Sequence, residues 1–328
     1  GYHDFLPKRP YTFMTDFIRV DAHVHLYRSI EEGYAEKTGY EVWEYGEQTE
    51  VHQTDCVGTL DELLVQMEAT GISKAVIVNL FSAKVNRQLA IDALPSGLTE
   101  TQKRQRLGDI DARIIDELIA FNRWNCDIAR KHPGLVPFIA ADVNAFESSV
   151  CAQHVRDMVE DHGAAGVKLH GAFQGFDMSD ERLWPVYDTC QELALPIIAH
   201  SGPDRDRSGF AEPRAFANML KAFPHLRMVV AHLGGATWKQ TVEIAQTFPN
   251  TYFDCCEIIE WTRSTHGPTD KQLAQMIIDI GPERVMMGSD FPWYDLDHSI
   301  ERVFSLPLLS QEQKERIIGA NAVDILGL

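Results

Sequence analysis

Eight short apolar runs, each followed by a longer amphipathic stretch, constrain the fold of this chain more than any other feature. The runs are rich in Val, Ile, Leu and Ala, as is typical of parallel strands that are buried on both faces. Strands that alternate with helices predict parallel βα units, and eight such units close into a barrel. The sequence therefore predicts an α/β fold of the (β/α)8 TIM-barrel type, with a doubly wound open sheet as the alternative. The runs are Ile18–Leu26, Lys74–Leu80, Leu135–Val143, Gly166–His170, Pro196–His200, Arg227–His232, Thr251–Cys255 and Arg284–Gly288.

The length of 328 residues suits one α/β barrel with loop insertions. We expect residues 18–328 to form a single catalytic domain and residues 1–17 to be an N-terminal extension or a remnant of cloning. Two long connections, 27–58 and 81–109, follow the first and second strands. Because the carboxyl ends of barrel strands carry the active site, we interpret both connections as lids or binding loops without obvious structure.

Several helices between the strands begin at recognisable capping residues. Thr59 and Glu62 form a capping box before a helix that Gly71 ends, and Thr269 precedes the stretch 270–280. Ser179 is expected to cap the stretch 180–193, and Ser310 to open the last helix.

Charge and cysteine content exclude several classes of protein. The formal net charge of −18 provides no basic footprint for nucleic acid or for an anionic membrane surface. No apolar run approaches the roughly 20 residues of a membrane span. The six cysteines show no C-x-x-C spacing, which predicts a reduced, cytoplasmic protein. The expected partner is therefore a small-molecule substrate.

Five metal-binding side chains stand at the ends of four predicted strands. His23 and His25 are two residues apart on the first strand, so they project to one side and supply half of a tetrahedral metal site. His200, His232 and Asp290 each stand where an apolar strand stops and a glycine-containing loop begins. Since strand ends of a barrel converge on one mouth, these side chains are expected to meet there.

With these residues in this order, the sequence resembles the amidohydrolase superfamily. It is most similar to the amidohydrolase-related branch that includes aminocarboxymuconate-semialdehyde decarboxylase. The resemblance spans residues 18–328 as an ordered set of motifs, whereas the two long connections match no family pattern. The motifs are Asp21–Leu26, Gly166–His170, His200-Ser-Gly, His232-Leu-Gly-Gly, Gly288–Pro292 and Asn321-Ala.

The resemblance implies four metal ligands, with zinc as the first choice of ion and manganese as an alternative. These ligands are His23, His25, His200 and Asp290. It also implies that His232 is a catalytic acid or base beside a metal-bound water, although elsewhere in the superfamily this histidine binds a second metal. Asp290 is the second implied catalytic residue, because it can orient that water and accept a proton.

Other pocket residues are predicted with less specific signals. Lys168 lies on the fourth strand, where the resemblance implies a carboxylated, metal-bridging lysine as in binuclear members, and the alternatives are an ion pair or a contact with an anionic substrate. His170 lies on the same strand face as Lys168. The remaining substrate-binding candidates follow the fifth, seventh and eighth strands and are Arg205, Arg207, Glu257 and Trp293.

The same ligands serve more than one reaction. A divalent ion activates water, so we expect a metal-dependent hydrolase of a small cyclic, amide or ester substrate. Non-oxidative decarboxylation of an aromatic or unsaturated carboxylic acid is the first alternative, and a metal-free lactonase or hydratase is the second. A catalytically silent barrel would have no need of the full ligand set. A homodimer is implied by analogy alone.

Overall fold

The computed structural model describes residues 17–39, 42–47 and 51–328. Within them, eight parallel strands pair in sequence order in one sheet. This confirms the predicted (β/α)8 barrel, and each observed strand lies within its predicted run. The strands are β1 (Val20–Val24), β2 (Lys74–Val78), β3 (Leu135–Ala140), β4 (Gly166–Leu169), β5 (Ile197–His200), β6 (Met228–Ala231), β7 (Thr251–Asp254) and β8 (Val285–Met286).

Backbone hydrogen bonds between β1 and the residues that follow β8 join the two ends of the sheet. The His25 amide donates to the Phe291 carbonyl at 2.7 Å, and the Asp290 amide donates to the His23 carbonyl at 2.8 Å. A further bond runs from the Ala22 amide to the Met287 carbonyl at 3.0 Å. The first and last candidate metal ligands of the chain are therefore neighbours in the barrel wall.

A register shift in β1 decides where its histidines point. Val20 pairs with Lys74 but Val24 pairs with Ile77, so β1 uses one more residue than β2 over the same span. Side chains alternate between faces along a strand, and an extra residue reverses the alternation. His23 therefore faces the barrel interior together with the β4 and β5 side chains that also line it.

Helices surround the barrel, and 3₁₀ segments connect several of them to strands. The α-helices are α1 (Ile30–Gly39), α2 (Leu60–Thr70), α3 (Ala83–Asp92), α4 (Glu100–Lys131), α5 (Ser148–His162), α6 (Gly171–Gln174), α7 (Trp184–Glu192), α8 (Ala217–Ala222), α9 (Thr241–Thr247), α10 (Asp270–Ile280), α11 (Leu296–Ser305), α12 (Gln311–Glu315) and α13 (Asn321–Leu326). The 3₁₀ segments are Glu181–Leu183, Pro213–Phe216, His232–Gln240, Ile258–Glu260 and Pro282–Arg284, and a π-helical turn, Arg316–Ala320, links α12 to α13.

Three predicted helix starts are confirmed, and one is wrong. Capping boxes are present at Thr59, Thr269 and Ser310. The fourth cap is Asp180 instead of Ser179, because the Asp180 carboxylate accepts from the Arg182 amide. The Ser179 hydroxyl donates to the Ala215 carbonyl, so it ties this turn to a neighbouring segment.

The two long connections are more regular than expected. The 27–58 connection contains α1, and the 81–109 connection contains α3 and the first ten residues of α4. Ser82 caps α3, and Thr99 with Gln102 forms a capping box on α4. Local capping thus makes helices of stretches whose mixed composition suggested loops. The predicted extension at 1–17 lies outside the described residues except for Phe17.

Large side chains fill the barrel interior below the strand ends. Phe138 of β3 is fully buried, and a Cβ atom at Gly166 on the neighbouring strand would lie 2.3 Å from its ring. Glycine at 166 is therefore required by the close approach of Phe138. The last helix, α13, contributes Ile325 and Leu326 to the same interior cluster. Among the described residues, no helix is both long and apolar enough to cross a membrane.

Candidate active site

Three predicted metal ligands from opposite ends of the chain meet at the mouth of the barrel. His25 Nε2 lies 2.9 Å from Asp290 Oδ1, and His23 Nε2 lies 3.6 Å from the same oxygen. One ligand atom from each residue lies within 4.8 Å of the other two. Ligands held at about 2.1 Å from one ion stand about 3 to 3.5 Å apart, so this spacing suits a single divalent cation.

Asp254, at the end of β7, orients His23. Its Oδ2 lies 2.9 Å from His23 Nδ1, so Nδ1 donates to the carboxylate and Nε2 keeps its lone pair toward Asp290. Burial alone would raise the pKa of Asp254, but the charge and the hydrogen bond of His23 outweigh it and lower the pKa to about 2. Burial, followed by the charge of Lys168, lowers the pKa of His23 to about 4.

Asp290 occupies a strained backbone conformation at the rim. Its φ is 59°, in the left-handed region that non-glycine residues seldom adopt. Burial would raise the pKa of this carboxyl, but the hydrogen bond from His25 and the charges of His23 and His25 hold it well below its usual range. Trp293 packs edge-on against the His25 ring, with centroids 5.4 Å apart. The strain places the carboxylate toward the imidazoles, as strained residues at functional sites often do.

His232 follows β6 and lies between two other candidate histidines. Its ring centroid is 5.0 Å from that of His23 and 4.9 Å from that of His200. Its Nδ1 lies 2.9 Å from the Cys256 carbonyl, so Nδ1 carries the proton and Nε2 is free for proton transfer. Its backbone amide donates to Asp254 at 2.9 Å, and burial lowers the pKa of its ring.

His200, the fourth predicted ligand, lies beside His232 and outside the group of three clustered ligands. It joins them through His232, while its other face stacks on His170 at 3.7 Å with the rings inclined by 7°. His170 also accepts a hydrogen bond from the Phe173 amide at Nδ1, which caps α6. His170 therefore supports His200, and its predicted contact with substrate stays a prediction.

Lys168 is buried beneath the cluster. Its Nζ lies 3.4 Å from His23 Nε2, and its side chain is only 1% exposed. Burial lowers the pKa of this amine, although the carboxylates of Asp254 and Asp290 act in the opposite direction. The structure thus brings Lys168 to the proposed ligands, and its role as a bridging or substrate-binding group stays a prediction.

The remaining substrate-binding candidates separate into buried and exposed groups. Glu257 is buried beside Asp290, and burial, followed by the charge of Asp290, raises the pKa of its carboxyl group well above the usual range. Arg205 and Arg207 are exposed on the loop after β5, and the Arg205 guanidinium lies 5.4 Å from the centre of the Trp43 ring. The structure therefore does not place the two arginines within the buried cluster.

Sequence reasoning missed three buried residues at this site. Asp254 ends a strand, as His200 does, so the same positional signal could have identified it. Cys256 lies under His232, with its Sγ 3.2 Å from His232 Nδ1. Glu44 belongs to the 27–58 connection and is 8% exposed. No sequence signal reveals where a connection of that length will place one carboxylate.

The sequence of this chain is similar to that of a curated enzyme. A 2-amino-3-carboxymuconate-6-semialdehyde decarboxylase from Dictyostelium discoideum is 23% identical over 214 residues, which cover 56% of this chain and 58% of that relative. The chain thus spans less than two thirds of the length of this curated relative.

Solved structures show the same fold. An uncharacterized TIM-barrel protein from Bordetella bronchiseptica superposes with a TM-score of 0.68 at 18% identity, covering 94% of this chain and 98% of that one. A dihydroxybenzoic acid decarboxylase from Polaromonas sp. JS666, with bound manganese and the inhibitor 2-nitroresorcinol, gives 0.62 at 14% identity, covering 95% and 97%. The amidohydrolase family model matches residues 20–328, so the chain belongs to the amidohydrolase family.

Proposed function

We propose that this protein is a metal-dependent, non-oxidative decarboxylase of an aromatic carboxylic acid. The observation that carries the proposal is the buried group of His23, His25 and Asp290, with His232 beside it. Two of the compared relatives are named as decarboxylases, and one of them holds manganese. The comparisons therefore favour the decarboxylase alternative over the hydrolase that we expected first.

The residues present fit a divalent cation. His23 Nε2, His25 Nε2 and Asp290 Oδ1 are its proposed ligands, with His200 as the fourth. The bond between His23 and Asp254 is the outer contact that commonly fixes a metal-binding imidazole. Such a cation would hold the substrate carboxylate and withdraw charge from it. Imidazole and carboxylate donors suit zinc and manganese alike, so the ion is left open between them.

His232 is the proposed proton donor to substrate carbon. In this reaction the ring carbon that bears the carboxylate gains a proton, the electrons of the carbon–carbon bond return to the ring, and carbon dioxide leaves. Because Nδ1 of His232 donates to the Cys256 carbonyl, Nε2 is the atom that takes up a proton from solvent before the reaction. Nε2 then passes this proton to the ring carbon of the substrate, which leaves the imidazole neutral again. The buried surroundings of His23, His232 and Asp290 keep bulk water from competing for it.

Carbon dioxide release from a panel of hydroxybenzoic acids tests this function. The protein should be loaded separately with manganese and with zinc, and the panel compared with lactones and simple amides. We expect carbon dioxide and the decarboxylated phenol from at least one acid, and loss of the reaction after chelation. Opening of a lactone or amide without carbon dioxide release from any acid would contradict the proposal and support hydrolysis.

A further inference from the structure

Residues 42–47, which we name the cover segment, lie against loops at the carboxyl ends of the strands. Tyr45 is fully buried and stacks on Trp261, with ring centroids 5.4 Å apart. The His266 amide donates to the Tyr45 carbonyl at 2.8 Å, and the Thr265 amide donates to the Glu47 carbonyl at 3.2 Å. These contacts tie the cover segment to the loop after β7 and position the residue between Trp43 and Tyr45.

That residue, Glu44, inserts its carboxylate between two glycine-containing loops. Its Oε2 accepts from the Ala236 amide at 3.0 Å. A Cβ atom would lie 2.6 Å from this oxygen at Gly235 and 2.9 Å from it at Gly202. Glycine at both positions therefore leaves the space that the carboxylate occupies.

Glu257 joins Glu44 to the candidate metal site. Its side chain is 1% exposed and lies beside the carboxyl groups of Glu44 and Asp290. One ligand atom each from Glu257, His232 and Asp290 lies within 4.8 Å of the other two. Glu257 has a φ of 64°, so a strained backbone holds it there.

One oxygen of Glu257 is left without a protein partner. Within the described part of the chain, Oε1 is buried and accepts no hydrogen bond. Buried polar atoms are nearly always satisfied, so a buried unpartnered acceptor beside a reaction centre indicates a ligand. Because Glu257 lies beside His232 and Asp290, a ligand atom bound to this oxygen would lie next to the proposed reaction centre.

We propose that Glu44 and Glu257 form a substrate-selecting pair, in which Glu257 Oε1 accepts a hydrogen bond from a hydroxyl or amino group. This group would stand on the ring position next to the carboxylate, so the inference rests on the proposed function. Glu44 is the positioning residue, because it holds Glu257 while its own Oε2 is engaged by Ala236. The pair disfavours a methoxy group or a second carboxylate at this position, since neither donates a hydrogen bond.

Calorimetric binding of three ligands to the manganese-loaded protein tests the selection without requiring turnover. The ligands are salicylate, which carries the donor, and benzoate and 2-methoxybenzoate, which do not. We expect the wild-type protein to bind salicylate about tenfold more tightly than either analogue, as one additional hydrogen bond to a buried acceptor allows. Glu257→Met should abolish this preference, and Glu44→Gln should weaken it.

A control variant on the same segment separates the effect of Glu44 on ligand selection from the general effect of removing one negative charge. Glu47→Gln removes an exposed carboxylate of the cover segment and should leave the tenfold preference intact. Equal binding of the three ligands to the wild-type protein, or no binding of any, would overturn the proposal whether or not a variant folds. A second manganese ion per chain that Glu257→Met removes would also overturn it, because Glu257 would then be a metal ligand. If only the proposed decarboxylation is wrong, the protein will still prefer salicylate but will release no carbon dioxide from any acid.

Discussion

Single residues set the chemistry of this site through their partners. Both His23 and His232 are fixed by the chain around Asp254: one carboxylate oxygen accepts from His23 Nδ1 and the other from the His232 amide. The proposed ligand and the proposed proton donor therefore depend on one buried carboxylate. Substitution of His232 and substitution of Asp254 therefore test the two roles by different measurements.

His232→Asn should retain the metal and lose decarboxylation. The histidine lies outside the His23–His25–Asp290 group, so its removal leaves these three ligands in place. Loss of a positioned proton donor lowers the rate by about 100-fold or more. Elemental analysis and carbon dioxide release measure the two quantities, and loss of metal together with activity would instead identify His232 as a ligand.

Asp254→Asn should weaken manganese binding by about 10- to 100-fold, because His23 loses the charged acceptor that orients it. Competition with a fluorescent chelator measures the dissociation constant. Asp188→Asn, at an exposed position on α7, is the matched control and should bind manganese as the wild-type protein does. Unchanged affinity in Asp254→Asn would show that the contact does not support the site.

At the scale of elements, the site depends on how closely three strand ends approach one another. Gly288 follows β8, and a Cβ atom there would lie 2.7 Å from His23 Cβ and 3.1 Å from Cys256 Cβ. The ends of β1, β7 and β8 thus meet at a position where only glycine fits. The same approach brings Asp290 to the two imidazoles of β1.

Gly288→Ala should lower the free energy of unfolding by about 1–3 kcal/mol, as overpacking of a core does, and should also reduce metal content. Gly108→Ala is the control, because a Cβ atom there meets nothing within 4 Å. Within α4, that change should stabilise the protein by about 0.5–1 kcal/mol. Urea unfolding of both variants checks the pair, and equal effects at the two positions would contradict the packing argument.

Elements whose signals are local could be predicted from the sequence, and those that depend on distant contacts could not. The capping boxes at Thr59, Thr269 and Ser310 need only four consecutive residues, and all three are present. The Ser179 prediction was wrong because Asp180 competes for the same turn and Ser179 is engaged elsewhere. Helix α3 and the first ten residues of α4 were missed, although Thr99 and Gln102 carry a local signal.

The residues of the candidate site also separate into those that the sequence could predict and those that depend on distant contacts. Strand ends of a barrel converge by topology, so His23, His25 and Asp290 could be predicted to meet. The register shift in β1 and the reach of Glu44 depend on pairing and loop packing, for which the sequence has no local signal. Arg205 and Arg207 were proposed from their charge and from their position after the fifth strand, and both side chains are exposed.

At the scale of the whole molecule, burial of neutral histidines links stability to pH. His154 of α5 lies outside the site, and burial, the largest cause, lowers its pKa from 6.5 to about 4. A histidine whose folded-state pKa is depressed stabilises the fold above its unfolded pKa, and this contribution is lost as pH falls from 6.5 towards 4. Its Nε2 lies 3.0 Å from the Asn122 amide nitrogen, a contact that needs the neutral ring.

His154→Gln should therefore reduce the pH dependence of stability. Between pH 7.5 and pH 5, wild-type protein should lose about 2 kcal/mol more unfolding free energy than the variant does. Urea unfolding of both proteins at the two pH values measures this difference, in which contributions from all other groups cancel. An equal loss in the two proteins would show that His154 is not held neutral by burial.

The central claim of this account is that distant strand ends of one barrel bind a single divalent cation. Anomalous scattering at the manganese edge, from crystals of manganese-loaded protein, tests it most directly. We predict one strong peak within bonding distance of His23 Nε2, His25 Nε2 and Asp290 Oδ1. A peak elsewhere in the molecule, or the absence of any peak from fully loaded crystals, would contradict it.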